Sequence, residues 1–236
     1  MKFAIDPIPL HTLPVSGTDL FFPVNRVFCV GRNYAAHARE MGKDPDRDPP
    51  FFFMKPANAV VDASRPTGVK YPSMTSNYQH EIELVVAIGK RGFDISSENA
   101  LAYVYGYAVG LDMTRRDVQL EARDKGRPWE FGKSFAQSAP IGAIHRAGEW
   151  ENSSSAAISL SVNGTTKQSS DISKLIWSVS ECIAYLSQYE ALEPGDILMT
   201  GTPEGVGPVV AGDTLKGAIA GLAGIEVRIE NPSGAV

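Results

Sequence analysis

The chain has 236 residues, with 22 Lys and Arg against 27 Asp and Glu, a formal net charge of −5 and 43% hydrophobic residues. This composition is typical of a globular protein that is large enough to bury a substantial core. It argues against a nucleic-acid partner, because affinity for a phosphate backbone depends on clustered Lys and Arg. We expect no membrane span, since no run approaches about 18 apolar residues, and no secretory signal at the start.

Two features bear on compartment and domain organisation. Cys29 and Cys182 lie far apart and match no metal-binding or redox motif, so we expect buried, reduced side chains in a cytoplasmic protein. Residues 1–24 contain several prolines and are weakly patterned, which predicts an N-terminal arm. A single domain over residues 25–236 is then expected.

Short apolar runs bounded by glycine or proline predict strands over residues 26–30, 51–54, 82–88, 102–111, 158–162, 196–200 and 224–229. Asn163-Gly164 predicts a hairpin turn. Helices are predicted over residues 33–41, with Asn33 as N-cap, and over residues 171–188, where apolar residues recur at helical spacing. The charged, proline-rich residues 42–50 form a candidate lid. Strands outnumber helices, so the predicted fold class is α+β and β-rich.

Three acidic residues indicate a metal site. Glu81 and Glu83 share one face of the strand at 82–88, about 6.5 to 7 Å apart along the backbone. They either face water on a half-exposed sheet or bind a divalent cation that removes their repulsion. Asp112 adds a third carboxylate where the next strand ends. Three oxygen ligands suit a hard cation, Mg²⁺ first and Mn²⁺ or Ca²⁺ next.

Three further segments contain residue types that occur in catalytic or ligand-binding sites. His37 and Glu40 project from one face of the first helix and could activate a water molecule, although such pairs are also common on helix surfaces. The glycine-rich segment 201–207 is either a tight turn or a set of N–H groups that hold a carboxylate. Segment 126–134 is not a phosphate loop, because five residues instead of four separate its first glycine from Gly-Lys-Ser.

Taken in order, these segments resemble the fumarylacetoacetate hydrolase family over roughly residues 26–230. The matching pieces are residues 30–41 (VGRNYAAHAREM), 54–56 (MKP), 80–84 (HEIEL), 110–119 (GLDMTRRDVQ), 132–134 (GKS), 192–196 (LEPGD) and 200–207 (TGTPEGVG). The resemblance implies a catalytic domain with a mixed, rolled β-sheet and peripheral helices. It also implies a homodimer with Mg²⁺ or Mn²⁺ at the site.

The resemblance further implies roles for individual residues. The implied metal ligands are Glu81, Glu83 and Asp112. The implied catalytic residues are His37 and Glu40, which activate water, and Lys133, which steadies developing negative charge. The implied substrate contacts are Arg32, Arg116, Gln119 and Thr202. For Arg116, a structural salt bridge with a neighbouring acid is an equally good interpretation.

Residues 51–56, 113–117 and 126–129 resemble the bacterial fumarylpyruvate hydrolase branch of the family. This implies hydrolytic cleavage of a C–C bond in a β-diketo acid. The first choice of substrate is fumarylpyruvate, which would give fumarate and pyruvate. The metal would bind the α-keto carboxylate and stabilise the enolate, while Lys133 or an amide would hold the oxyanion. The second carboxylate would need a cation, for which Arg32, Arg116 and Arg127 are candidates.

Several alternatives remain open at this point. They are hydrolysis of other acylpyruvates, oxaloacetate decarboxylation, and decarboxylation or isomerisation in meta-cleavage pathways. A protein of another class, a metal- or carboxylate-binding module without turnover, is a further alternative. The presence of His37, Glu40 and Lys133 together argues against such a module, because binding alone needs no water-activating pair.

Overall fold

The computed structural model describes residues 2–40, 48–151 and 154–232. The strands up to residue 111 are β1 (Thr12–Pro14), β2 (Phe21–Pro23), β3 (Val27–Gly31), β4 (Phe51–Lys55), β5 (Val60–Asp62), β6 (Thr67–Lys70), β7 (Tyr78–His80), β8 (Ile82–Ile88) and β9 (Val104–Leu111). The later strands are β10 (Thr114–Arg115), β11 (Ala139–Ile141), β12 (His145–Arg146), β13 (Ala157–Val162), β14 (Thr165–Asp171), β15 (Ile197–Met199), β16 (Gly207–Pro208), β17 (Thr214–Ile219) and β18 (Ile225–Glu230). The α-helices are α1 (Ala35–Glu40), α2 (Arg116–Asp124), α3 (Glu130–Lys133) and α4 (Val179–Tyr189).

The described strands form one large sheet and three smaller ones. The large sheet runs in the order β4-β3-β15-β8-β9-β11-β5, with β12 paired to β9. A second sheet runs β14-β13-β17-β18-β6, and two small sheets consist of β1-β2 and β10-β7-β16. Parallel pairing occurs between β3 and β15, β5 and β11, and β6 and β18, so the sheets are mixed. The prediction of a β-rich α+β fold is confirmed.

Strand β8 separates two apolar clusters. Its residues Ile82, Leu84, Val86 and Ile88 lie in a cluster with the inner faces of β13, β17 and β18 and with α4. The alternate residues, Val85 and Ala87, lie in a second cluster beneath β3, β11 and β15. The predicted period-2 apolar face is confirmed, but the opposite face is also buried. The interpretation of Glu81 and Glu83 as a water-facing pair on a half-exposed sheet is therefore wrong.

Two predictions about helices are wrong. The helix expected over residues 171–188 begins only at Val179, because Ser178 forms a capping box with Glu181, and Ile172–Lys174 forms a separate 3₁₀ turn. The expected N-cap, Asn33, does not cap α1. Its buried amide instead donates to the carbonyl oxygens of Trp177 and Thr200 and accepts from the Trp177 N–H.

Other expected elements agree with the structure to within two residues at their ends. The hairpin turn at Asn163-Gly164 joins β13 to β14, with both residues at positive φ (50° and 81°). Residues 12–24, inside the predicted arm, bury Leu13 and Phe22 in the second apolar cluster. Of the candidate lid, residues 42–47 lie outside the described residues. Among the residues that are described, no helix is long and apolar enough to cross a membrane.

Candidate active site

Three buried carboxylates converge at one end of strands β8 and β9. The antiparallel pairing of Ile82 with Leu111 brings Glu81 and Glu83 beside Asp112, which directly follows β9. One oxygen from each carboxylate lies within 4.8 Å of the other two. The three residues are 5%, 2% and 1% exposed, respectively. The structure thus brings together the three acids that the sequence indicated as metal ligands.

Basic side chains neutralise two of these carboxylates. The Lys133 ammonium donates to Glu81 Oε2 at 2.7 Å, to Asp112 Oδ2 at 2.6 Å and to Thr114 Oγ1 at 2.7 Å. Arg116 forms an ion pair with Glu81. Burial works to raise the pKa of Glu81, but the positive charges of Lys133 and Arg116 outweigh it and hold the pKa well below its ordinary value.

Glu83 is in the opposite electrostatic situation. Its Oε2 accepts a hydrogen bond from the Gly201 N–H at 2.8 Å. Burial, together with the nearby charges of Asp112 and Glu81, raises the pKa of Glu83 well above its ordinary value. A cation beside Glu83 would remove this penalty. Because all the donors are carboxylate oxygens, the group fits a hard divalent cation such as Mg²⁺ or Mn²⁺.

A second buried lysine, Lys55 at the end of β4, was not predicted as a site residue. Its Nζ lies 2.8 Å from Asp112 Oδ1 and donates to the Ser138 hydroxyl at 3.0 Å and to the Lys133 carbonyl oxygen. Lys55 thereby joins one metal-ligand candidate to the backbone of Lys133. The only sequence signal was its place within the Met54-Lys-Pro56 segment of the resemblance.

Lys133 reaches the carboxylates because α3 packs closely on α2. A Cβ atom at Gly132 would lie 2.8 Å from the Gln119 Cβ and 2.9 Å from its backbone nitrogen. Any other residue at this position would therefore push the two helices apart and withdraw Lys133. The Gly132-Lys133 pair thus has a steric basis and no relation to phosphate binding.

His37 and Glu40 form the pair expected from their spacing. His37 Nδ1 lies 3.1 Å from Glu40 Oε2, and His37 is 5% exposed and lines the cleft that contains the three carboxylates. The Gly205 N–H donates to both Glu40 oxygens at 3.2 Å. The N–H groups of the glycine-rich turn therefore hold carboxylates of the protein itself, Glu83 and Glu40.

The glycine-rich turn requires unusual backbone geometry at Gly201. This residue has φ of 97°, and a Cβ atom there would lie 2.7 Å from the Asn33 Cβ. Only glycine combines this conformation with this close approach. Gly201 consequently fixes the turn against the segment before α1 while its N–H points to Glu83.

The four expected substrate contacts all line the cleft: Arg32, Arg116, Gln119 and Thr202. Arg116 donates to Gln79 Oε1 at 2.8 Å and to Gln119 Oε1 at 2.5 Å in addition to its ion pair with Glu81, which is the geometry of the structural salt bridge considered from the sequence. Thr202 Oγ1 accepts from the Gln168 amide at 2.8 Å.

Gln168 on β14 is a buried residue that sequence reasoning missed. Its Oε1 lies 3.0 Å from His80 Nδ1 and accepts from the Ile82 N–H at 3.1 Å, while its amide donates to Thr202. Gln168 thus ties the strand that carries Glu81 and Glu83 to the glycine-rich turn. No local pattern marks it, because β14 belongs to a different sheet.

The outer part of the cleft is lined by arginine and aromatic side chains, namely Arg32, Phe51, Arg123 and Trp129. The Arg32 guanidinium lies over the Phe51 ring at 5.2 Å and the Trp129 ring at 6.0 Å. Arg123 was not predicted. Its position seven residues after Arg116 on α2 is the helical spacing that could have placed it on the same face.

The model of the fumarylacetoacetate (FAA) hydrolase C-terminal family matches residues 26–230. The chain belongs to this family. The FAA hydrolase fold implied by the sequence, a mixed, rolled sheet with peripheral helices, is confirmed by solved structures. A crystal structure of fumarylpyruvate hydrolase from Pseudomonas aeruginosa in complex with Mn²⁺ and pyruvate is similar with a TM-score of 0.95 and 55% identity, covering 98% of this chain and 100% of that chain.

Two curated FAA hydrolase relatives bear on the chemistry. The chain is 49% identical to a fumarylpyruvate hydrolase of Ralstonia sp. over 191 residues, which is 80% of this chain and 98% of that protein. It is 41% identical to the mitochondrial oxaloacetate tautomerase FAHD1 of Homo sapiens over 206 residues, which is 87% of this chain and 92% of that protein.

Proposed function

We propose that this protein is a metal-dependent hydrolase of acylpyruvates that cleaves fumarylpyruvate with one water molecule to fumarate and pyruvate. The observation that carries the proposal is the shared cleft, in which His37, held by Glu40, lies beside the carboxylates Glu81, Glu83 and Asp112. The similar Pseudomonas aeruginosa and Ralstonia proteins named fumarylpyruvate hydrolase support this substrate.

Glu81, Glu83 and Asp112 would hold Mg²⁺ or Mn²⁺. When bound, the ion supplies a Lewis acid that polarises a keto oxygen and stabilises the negative charge of the leaving pyruvate. Arg116 keeps Glu81 in place through its ion pair, and Lys55 does the same for Asp112. The protein thereby presents the carboxylates in a fixed arrangement before substrate binds.

His37 would take the proton of the attacking water. Its Nδ1 is engaged by Glu40, which leaves Nε2 as the ring nitrogen for the water and stabilises the imidazolium that forms. The water adds to the distal carbonyl carbon, and the C–C bond on the pyruvate side then breaks with its electron pair. His37, now protonated, returns a proton to the pyruvate carbon, so the catalyst is regenerated.

Lys133 would stabilise negative charge that develops during the attack. Its three N–H groups are donated to Glu81, Asp112 and Thr114, so it acts chiefly as a positive charge in a buried site. Gln119, Thr202 and Arg32 line the same cleft. Gln119 and Thr202 would contact the pyruvyl part of the substrate, and Arg32 would contact the acyl part.

The test is incubation of the protein with Mg²⁺ or Mn²⁺ and fumarylpyruvate, with loss of the enol absorbance followed and pyruvate quantified. His37→Ala should lower kcat by about 10²- to 10⁴-fold without loss of the fold, because it removes the base. His11→Ala, at a histidine outside the cleft, is the matched control and should retain wild-type activity. Absence of turnover with every acylpyruvate would overturn the proposal.

A second candidate substrate is oxaloacetate, which the relationship to the human oxaloacetate tautomerase favours. Tautomerisation moves one proton between carbon and the keto oxygen, so His37 would act without an attacking water. Oxaloacetate decarboxylation also produces an enolate, whose negative charge the metal ion would stabilise as in the hydrolysis. A comparison of kcat/KM for fumarylpyruvate hydrolysis, oxaloacetate tautomerisation and oxaloacetate decarboxylation decides which reaction dominates.

We also propose a cytoplasmic homodimer. Exposed apolar side chains such as Phe21 and Phe131, at 64% and 81% exposure, provide surface for a second copy. Cys29 and Cys182 are buried and unpaired, which agrees with a reducing compartment. The division into an arm, 1–24, and a catalytic domain, 25–236, stays a prediction. Analytical ultracentrifugation gives the oligomeric state, and a monomer at micromolar concentration would contradict the dimer.

A further inference from the structure

The outer part of the cleft contains cationic groups that take no part in the bond-making and bond-breaking steps of the proposed reaction. Of the three arginines that the sequence offered for a second carboxylate, Arg116 is excluded because Glu81, Gln79 and Gln119 already occupy its guanidinium. Arg127 is excluded because it lines a separate cleft with Phe131 on the outer side of α2 and α3. Arg32 remains, and the structure adds Arg123.

Arg32 is held at the cleft by its backbone and by two aromatic rings. It has φ of 58°, a left-handed conformation that few residues other than glycine adopt and that clusters at ligand sites. Its guanidinium lies on Phe51 and Trp129, and no carboxylate in the described part of the chain pairs with it. Arg32 and Arg123 line the same cleft, and burial and the positive charge of Arg123 lower the pKa of Arg32 more than the Asp48 carboxylate raises it.

Arg123 projects from the same face of α2 as Arg116 and Gln119. Seven residues along a helix correspond to about 10 Å, which is comparable to the length of an extended seven-carbon diacid. A substrate whose pyruvyl end lies near Arg116 and the carboxylates would therefore place its other end near Arg123. The side chain of Arg123 is 34% exposed and pairs only with its exposed neighbour Asp124 among the described residues, which leaves it accessible from the cleft.

We propose that Arg32 and Arg123 form a subsite for the distal carboxylate of the substrate, with Phe51 and Trp129 flanking the chain that leads to it. This inference rests on the proposed function and specifies its substrate class: acylpyruvates whose acyl group ends in a second carboxylate. Two guanidinium groups suit a carboxylate because each offers paired N–H donors in a planar fork. An acylpyruvate that ends in a methyl group offers neither guanidinium group a carboxylate.

The test compares fumarylpyruvate with acetylpyruvate, which lacks the second carboxylate. For Arg32→Met and Arg123→Met, we expect the ratio of kcat/KM for fumarylpyruvate to kcat/KM for acetylpyruvate to fall by about 10- to 100-fold, mostly through KM for fumarylpyruvate. Arg127→Met is the matched control, a nearby arginine in the other cleft, and should leave the ratio unchanged. Arg123→Met tests the subsite even if Arg32→Met fails to fold, because Arg123 is partly exposed.

The outcomes separate the subsite from the reaction. An unchanged ratio in Arg123→Met, or an equal fall in Arg127→Met, overturns the subsite while turnover of both substrates still supports the hydrolase. If the wild-type protein turns over neither fumarylpyruvate nor acetylpyruvate, both the proposed function and the substrate class are overturned. A selective rise in KM for fumarylpyruvate supports both.

Discussion

At the scale of single residues, the unusual feature is a fully buried lysine that faces a fully buried aspartate. Lys55 is 1% exposed and Asp112 is 1% exposed, and their charged atoms are 2.8 Å apart. Each would be costly to bury alone, and the pair is tolerated because the Ser138 hydroxyl and backbone carbonyl oxygens accept the remaining Lys55 protons.

Lys55→Met should therefore destabilise the protein strongly. The change leaves Asp112 with one cation instead of two and leaves carbonyl oxygens without their donor, so we expect a loss of about 3 to 5 kcal/mol in the free energy of unfolding, measured by urea denaturation. Lys70→Met is the control, because its ion pair with Glu230 is exposed and should cost no more than about 1 kcal/mol. Equal losses in the two variants would show that Lys55 is not a buried structural charge.

Residue-level prediction succeeded where a local pattern carries the information. Strand alternation and the end of the next strand were enough to bring Glu81, Glu83 and Asp112 together, and helical spacing was enough to pair His37 with Glu40. Lys55 and Gln168 could not be predicted, because their partners lie 57 and 88 residues away and depend on which sheets stack. Their roles are properties of tertiary packing and have no local periodicity.

At the scale of elements, the start of α4 is decided by a side chain and not by the apolar stripe. The apolar residues before Ser178 keep helical spacing, yet Ser178 accepts from the Glu181 N–H at 3.3 Å while Glu181 accepts from the Ser178 N–H at 2.9 Å. This reciprocal pair satisfies the backbone N–H groups of Ser178 and Glu181, which are the donors that a helix starting at Ser178 leaves without a carbonyl partner. The stripe predicts one long helix because Ile172, buried in the first apolar cluster from its own 3₁₀ turn, keeps helical spacing with the buried residues of α4.

Ser178→Ala should lower the free energy of unfolding by about 1 kcal/mol, because it removes the side chain that accepts from the first turn of α4. Thermal denaturation followed by circular dichroism would report the loss. Ser97→Ala, at an exposed serine outside any helix or strand, should be neutral. If both variants denature at the wild-type temperature, the capping box does not stabilise α4.

The first turn of α2 has a pH-dependent anchor. Burial works to raise the pKa of Asp117, but hydrogen bonds from Thr75, Ser76 and Val118 outweigh it and hold the pKa below its ordinary value. A lowered pKa in the folded state means that the stabilisation is present above the ordinary range of aspartate and is lost as pH falls through the folded-state pKa.

Asp117→Asn should therefore be less stable than wild type at pH 7, and the difference should shrink steadily below about pH 4. Urea denaturation at pH 7, 4 and 3 measures this. Asp19→Asn, at an exposed aspartate in the turn between β1 and β2, should keep a constant difference from wild type. A difference between Asp117→Asn and wild type that does not change with pH would contradict the anchor.

At the scale of the whole molecule, a divalent cation should stabilise the fold through the carboxylate cluster. At a free Mn²⁺ concentration of about 100 times Kd, binding contributes about 2.7 kcal/mol, which corresponds to a rise in Tm of about 5 to 10 °C for a chain of this size. Glu83→Gln should abolish most of this rise yet remain folded in EDTA, because an amide replaces an acid whose pKa burial raises. Glu121→Gln, at an exposed acid on α2, should keep the full rise. A full rise in Glu83→Gln would remove Glu83 from the site.

The large sheet is completed from the two ends of the chain. Strand β15 lies between β3 and β8, and its register joins Ile197 to Val27 on one side and to Ala87 on the other. During synthesis, the edges of β3 and β8 that pair with β15 stay unpaired until β15, at residues 197–199, has been made. Such edges are templates for wrong pairing. Because these pairings join residues far apart in the sequence, we expect slow folding, and the cleft, which Thr202 completes, can form only after that residue has been made.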